Sequence, residues 1–269
     1  MAPRPKAAER VPTGGRGAIF PVPDLRGPKI VLGFGWAVAT AVVLVIGPFL
    51  FAVLMAAMAA AAAAQTAGSW RRAATPRAPL APAALAAAGV TVLAALLGPA
   101  ALVAVAVLAV IGASAWVMAD ATRRGARASV TDLVLTLACA AVPVIAVAGP
   151  VLLRRHGLEV ALVLMSDALL YDVGAWVMGS GSRHRWLGPL AGMACIGSLT
   201  MAVAAFALQF RGATPWELGA LAAVLAPLGP VAATFVLGDR RAHVGALRRL
   251  DSLLLLGPIW AIVAGRLGV

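Results

Sequence analysis

Charge is what this chain of 269 residues has least of. Only 12% of its residues are Asp, Glu, Lys or Arg, about half the share in a soluble domain. That shortage excludes a water-soluble globular enzyme and a solvated disordered chain. Lysine is nearly absent, with Lys6 and Lys29 alone among 22 basic residues. Cysteine occurs twice, as Cys139 and Cys195. Both lie in apolar stretches, so no disulfide framework or cysteine metal site is encoded, and they read as small buried residues.

In place of charge the chain has long apolar runs. It is 62% hydrophobic with a mean hydropathy of +0.96, and a membrane span needs about 20 apolar residues. The fold class is all-α, a polytopic helical membrane protein. Residues 1–29 read as a poorly ordered basic tail ahead of a multi-span domain at 30–269. The long charged part of the tail, with no cleavage site after it, does not fit a secretory signal. The run 30–64 is too long for one span, and Gly47-Pro48 is the signal that divides it in two. Gly98-Pro99 separates 82–97 from 100–118 in the same way. Further spans are expected at 131–152, 160–178, 187–209, 217–237 and 252–267, which makes about nine. Gly149-Pro150 continues the even spacing of the two earlier pairs, but the surrounding sequences do not match and no internal repeat is read.

The net charge is +12. In a membrane protein this excess marks cytoplasmic loops rather than a nucleic-acid partner. With nine spans and a cytoplasmic N-terminus, only Arg154, Arg155, Arg211 and Arg266 fall outside. The other 18 of the 22 basic residues fall inside, as the positive-inside rule requires. The preference for arginine over lysine, with abundant alanine, points to a GC-rich bacterial genome and so to the cytoplasmic membrane. Trp70, Trp186 and Trp216 sit near span ends as interfacial anchors. Asp132 and Glu159 sit where spans begin, matching the helix dipole.

Two polar groupings are candidates for chemistry. The span at 160–178 carries Asp167 and Asp172, and an ionisable residue inside a span marks a functional site by default. Five residues apart on a helix, they point about 140° apart, so one small site does not take both. The last inside segment carries Asp239, Arg240, Arg241, His243, Arg248, Arg249, Asp251 and Ser252. Arginine forks suit phosphate oxygens and carboxylates suit Mg²⁺. A phosphate-handling site at the membrane surface is one reading, and a basic anchor for the final span is the other.

At these residues the chain resembles a known family. Asp172-Val173-Gly174-Ala175-Trp176-Val177-Met178-Gly179 resembles the Asp-Thr-Gly-Ala-Tyr-x-x-Gly segment of the phosphatidate cytidylyltransferase (CDP-diacylglycerol synthase) family. The stretch from His243 to Ser252 resembles that family's closing His-Gly-Gly-x-x-Asp-Arg-x-Asp-Ser signature, with an apolar run containing Pro258 after it. The likeness covers about 160–262 and is only architectural before that. It implies a membrane enzyme of phospholipid biosynthesis that joins CTP to phosphatidic acid, giving CDP-diacylglycerol and pyrophosphate. It also implies Mg²⁺ held by catalytic Asp172, Asp239 and Asp251, with phosphates clamped by Arg240, Arg241, His243 and Arg249; Arg248 joins the phosphate-binding set as a clamp in place of the metal. The implied partners are CTP and phosphatidic acid or another anionic lipid, with a homodimer as an allowed assembly.

The chain departs from the family at several points. Arg248 stands where the family has a metal-binding aspartate, and the Ser-x-x-Lys-Arg and Lys-Asp segment before the histidine is missing. The family's Ser-Pro-x-Lys-Thr-x-x-Gly segment is missing too. A cation in place of a carboxylate changes the local charge by two units, and each unit is felt at about 4 kcal/mol over 4 Å near a protein surface. Three readings follow: an active divergent cytidylyltransferase, an inactive member that binds lipid or a protein partner, and a small transporter relaying protons or ions through Asp167 and Asp172.

Overall fold

The computed structural model describes residues 27–73, 79–98, 102–123, 129–180, 186–207, 212–237 and 244–269, with isolated positions 125, 127, 182, 184 and 210; the side chains of 27–32, 72–73 and 102 are not included. The tail up to residue 26 lies outside the described residues. Every long element within them is a helix. In chain order these are α1 (Gly27–Ile46), α2 (Pro48–Ala73), α3 (Leu80–Leu97), α4 (Leu102–Arg123), α5 (Val130–His156), α6 (Leu158–Gly179), α7 (Leu187–Phe206), α8 (Thr214–Leu225), α9 (Leu228–Val236) and α10 (Leu253–Leu267). A single 3-10 turn, Leu247–Arg249, precedes α10.

Seven helical stretches among the described residues are long and apolar enough to cross a membrane, with α8 and α9 together forming one of them. Gly33–Ile46 and Leu253–Leu267 are shorter apolar helices. The chain is a multi-pass membrane protein. In lipid each backbone amide must find its partner inside its own helix, and an apolar sequence with few polar side chains to compete does that. Buried Phe51, Met55, Val147, Val151, Leu164 and Trp260 form the core between α2, α5, α6 and α10. At the other extreme, α4 leaves Val103, Leu108 and Ile111 exposed along its length.

The Gly-Pro signals behave unequally. Gly47 separates α1 from α2, and Gly98 ends α3 with a positive φ of 86°, a conformation that favours glycine. Gly149-Pro150 breaks nothing, and α5 runs through both Pro143 and Pro150. Here glycine serves contact instead: a Cβ on Gly149 would collide with the Gly257 carbonyl of α10. The two backbones cross directly at that point.

Two spans differ from expectation. The second continues to Ala73 rather than stopping near 64. Along this polar end the hydroxyls are satisfied within the helix, Thr66 donating to Ala62 O (2.7 Å) and Ser69 to Thr66 O (2.6 Å). The span expected at 217–237 is interrupted at Ala226-Pro227 into α8 and α9, since a proline in mid-helix withholds an amide donor. Ser129 caps α5 by accepting from Thr131 N, and Asp132 and Glu159 occupy the first turns of α5 and α6.

Candidate functional site

The site forms where the second half of α6 meets the turn before α10. Leu247 and Leu250 are fully buried and anchor that turn. Its backbone closes through Arg248 N to Val244 O (3.1 Å) and Leu250 N to Leu247 O (3.0 Å). Gly229 of α9 lies against the Asp251 backbone so closely that any side chain there would strike the Asp251 carbonyl. From α2, Gln65 accepts from Ala246 N (2.9 Å) and the Trp70 indole donates to Val236 O (3.0 Å). Trp70, expected as an interfacial anchor, is therefore a tether on the end of α9.

Within this frame the Ser252 hydroxyl donates to Asp172 Oδ2 at 3.2 Å, joining residues 80 positions apart. Asp251 is 5% exposed and Ser252 is fully buried. Arg248 Nη1 forms an ion pair with Asp251 Oδ2 at 3.5 Å. The same guanidinium donates to Pro230 O (3.3 Å) and Thr234 Oγ1 (3.2 Å) on α9. Burial pushes the Asp251 carboxyl up to about 7, against the opposing pull of the Arg248 guanidinium. Arg249 is half-buried and turns toward α1, where a Cβ on Gly33 would lie 3.3 Å from its Nη1. Among the described residues its guanidinium has no hydrogen-bond or ion-pair partner.

Of the residues singled out from sequence, Asp172, Arg248, Asp251 and Ser252 meet in one cluster, with Arg249 beside it. Asp239, Arg240, Arg241 and His243 lie outside the described residues. Asp167 is elsewhere, facing α7 and α8, as its angular offset from Asp172 predicts. Thr234, the Pro230 carbonyl and Gln65 belong to the site without having been foreseen. A hydroxyl or amide within an apolar helix was the available signal, but Ser and Thr often satisfy themselves on their own helix. Thr234 does so too, donating to Pro230 O (2.8 Å) while accepting from Arg248.

No family model, curated protein or solved structure matches the chain. The site must be judged on its own donors. Mg²⁺ takes near-octahedral oxygen ligation and is bound through carboxylates. Among the described residues no three His, Cys, Asp or Glu side chains converge. Asp172 and Asp251 are the two carboxylates present, and Asp251 already holds a guanidinium. The described residues therefore do not fit a Mg²⁺ ion.

Proposed function

We propose that this protein is a divergent phosphatidate cytidylyltransferase-like membrane protein of phospholipid metabolism, whose cluster handles the phosphate of an anionic lipid. It would have nine spans, with the N-terminus in the cytoplasm and the cluster on the cytoplasmic side. The observation that carries the reading is the Ser252–Asp172 hydrogen bond. It joins the two separate stretches on which the family resemblance rests, and nothing in their apolar surroundings requires them to meet.

The chemistry follows from the cations. Arg249 is half-buried without a described partner, so a lipid phosphate meeting it replaces water rather than another protein group. A guanidinium presents paired donors that match phosphate oxygens. Arg248 is committed to Asp251, Thr234 and Pro230 and acts as a positioning residue, holding the turn that presents Arg249.

That Arg248–Asp251 ion pair favours a second reading: a site that binds the lipid phosphate without nucleotide transfer. Lipid binding is common to both readings, and turnover separates them. The experiment supplies radiolabelled CTP, Mg²⁺ and phosphatidic acid to the full chain in detergent, with Asp251→Asn in parallel. Lipid-soluble label that the variant loses supports cytidylyl transfer. No label above the variant, from protein that still binds phosphatidic acid vesicles, supports the non-catalytic reading. Absence of both label and vesicle binding overturns the proposal.

A further inference from the structure

A second candidate lies on the other side of α6. Asp167 is 2% exposed and opens onto a cavity lined by Val163, Leu199, Thr200, Phe210, Pro215 and Leu218. The cavity measures about 10 Å³, room for about one water molecule. Among the described residues Asp167 has no hydrogen-bond or ion-pair partner, whereas Asp172, five residues on, is held by Ser252. The Thr200 hydroxyl donates to Ile196 O (2.9 Å), which leaves its oxygen free to accept. A Cβ on Gly219 would collide with the Thr200 hydroxyl, so α8 is drawn against α7 right at the cavity.

The occupant follows from size and ligand count. One carboxyl and one hydroxyl supply too few oxygens for a hard metal cation, which takes about six or more. An ionised carboxylate without a partner is among the most unfavourable groups to place in hydrocarbon. Among the described residues no other titratable side chain lines the cavity. Of the helices packed on α6, α7 carries only Cys195, which sits against Gly174, and α8 carries Glu217, which is exposed. Among its described side chains α1 has no titratable group. On α5, Arg154 and Arg155 are tied to the carbonyls of α1 and α3, with His156 beside them, while Asp132 lies in the opposite end turn and Cys139 is buried. Asp251, ahead of α10, belongs to the other cluster, and Arg266 in the last turn of α10 is exposed.

We propose that Asp167 and Thr200 form a proton-binding site in the membrane interior, separate from the Asp172–Asp251–Ser252 cluster. The carboxyl carries the proton, and the cavity between it and the Thr200 oxygen has room for the one water that would link them. This stands independently of any lipid or nucleotide chemistry.

A hydrophobic carbodiimide tests it. The carboxyl proton passes to a carbodiimide nitrogen and the carboxylate oxygen adds to the central carbon. An acyl shift from oxygen to nitrogen then leaves an N-acylurea that retains the whole reagent. The full chain in nanodiscs is treated with dicyclohexylcarbodiimide across a pH series and mapped by peptide mass. The expected result is an adduct on Asp167 whose yield is lost as pH rises, with no adduct at that position in Asp167→Asn. Absence of an Asp167 adduct at every pH, from wild-type protein of unchanged helicity, overturns the proposal. A yield independent of pH overturns it as well, and the wild-type series decides this even if the variant fails to fold.

Discussion

Two arginine pairs lie about 20 Å apart along the axis of α6, and their surroundings differ. At the end of α5, Arg154 Nε donates to Leu44 O of α1 (2.6 Å) and Arg155 Nη1 to Ala94 O of α3 (3.2 Å). These are carbonyls in the last turns of their helices, where the helix dipole favours a cation. The Arg155 guanidinium also packs against Gly98, where a Cβ would lie 3.0 Å away. Ahead of α10, Arg248 meets a buried carboxylate and Arg249 meets no described partner. The same dipeptide ties helix ends together in one place and equips a site in the other. Counting arginines reads membrane sidedness; the acceptors around each one decide what it does.

The sharpest way to break the comparison is to remove one arginine from each pair. Arg248→Ala leaves the buried Asp251 without its counter-charge. It should cost about 3 kcal/mol, toward the lower end for broken buried pairs because Arg248 is partly exposed. Thermal unfolding in detergent measures this, and Arg248→Ala combined with Asp251→Ala should recover much of the loss. A double variant no more stable than Arg248→Ala alone would show that the ion pair does not organise the turn.

Changing pH sharpens the same contrast without a mutation. The Asp251 carboxyl sits above its unfolded value of about 3.8. The stability it contributes is complete below that value and is lost as pH rises through about 7. The folded state should therefore weaken by about 2.6 kcal/mol between pH 5 and pH 8, and Asp251→Asn should flatten that slope. The end of α5 is held instead by arginine–carbonyl bonds. The smallest effect is expected there: Arg154→Ala should remove about 1 kcal/mol, with no change in phosphatidic acid binding to vesicles. A loss of lipid binding in Arg154→Ala would erase the distinction between the two pairs.

How much was legible in the sequence follows the same division. Helical membrane architecture followed from apolar run length, and the breaks at Gly47 and Gly98 from glycine and proline chemistry. The break after α8 was not foreseen, because one proline in an apolar run is equally compatible with a continuous helix, as Pro143 in α5 demonstrates. The meeting of Asp172 with Ser252 was implied only by the family resemblance, since nothing in local periodicity brings α6 to the turn before α10. The opposite facing of Asp167 and Asp172 came from helical geometry alone. Thr234 escaped notice because a threonine that can bond its own helix gives no outward sign of a second partner.

The direct backbone crossings carry a consequence for descent. At Gly149 against Gly257, and at Gly229 against the Asp251 carbonyl, there is no room for even a methyl group. Outward-facing positions of the spans, such as Val103, Leu108 and Ile111 of α4, can exchange alanine, valine and leucine with little effect, so overall identity between distant relatives erodes quickly. Gly149, Gly257 and Gly229 cannot drift without the helices parting. A chain that inherits this arrangement should still spell glycine at the corresponding places, and a pattern of a few fixed glycines placed around an Asp-Ser pair would trace kinship where the apolar text between them has become unreadable.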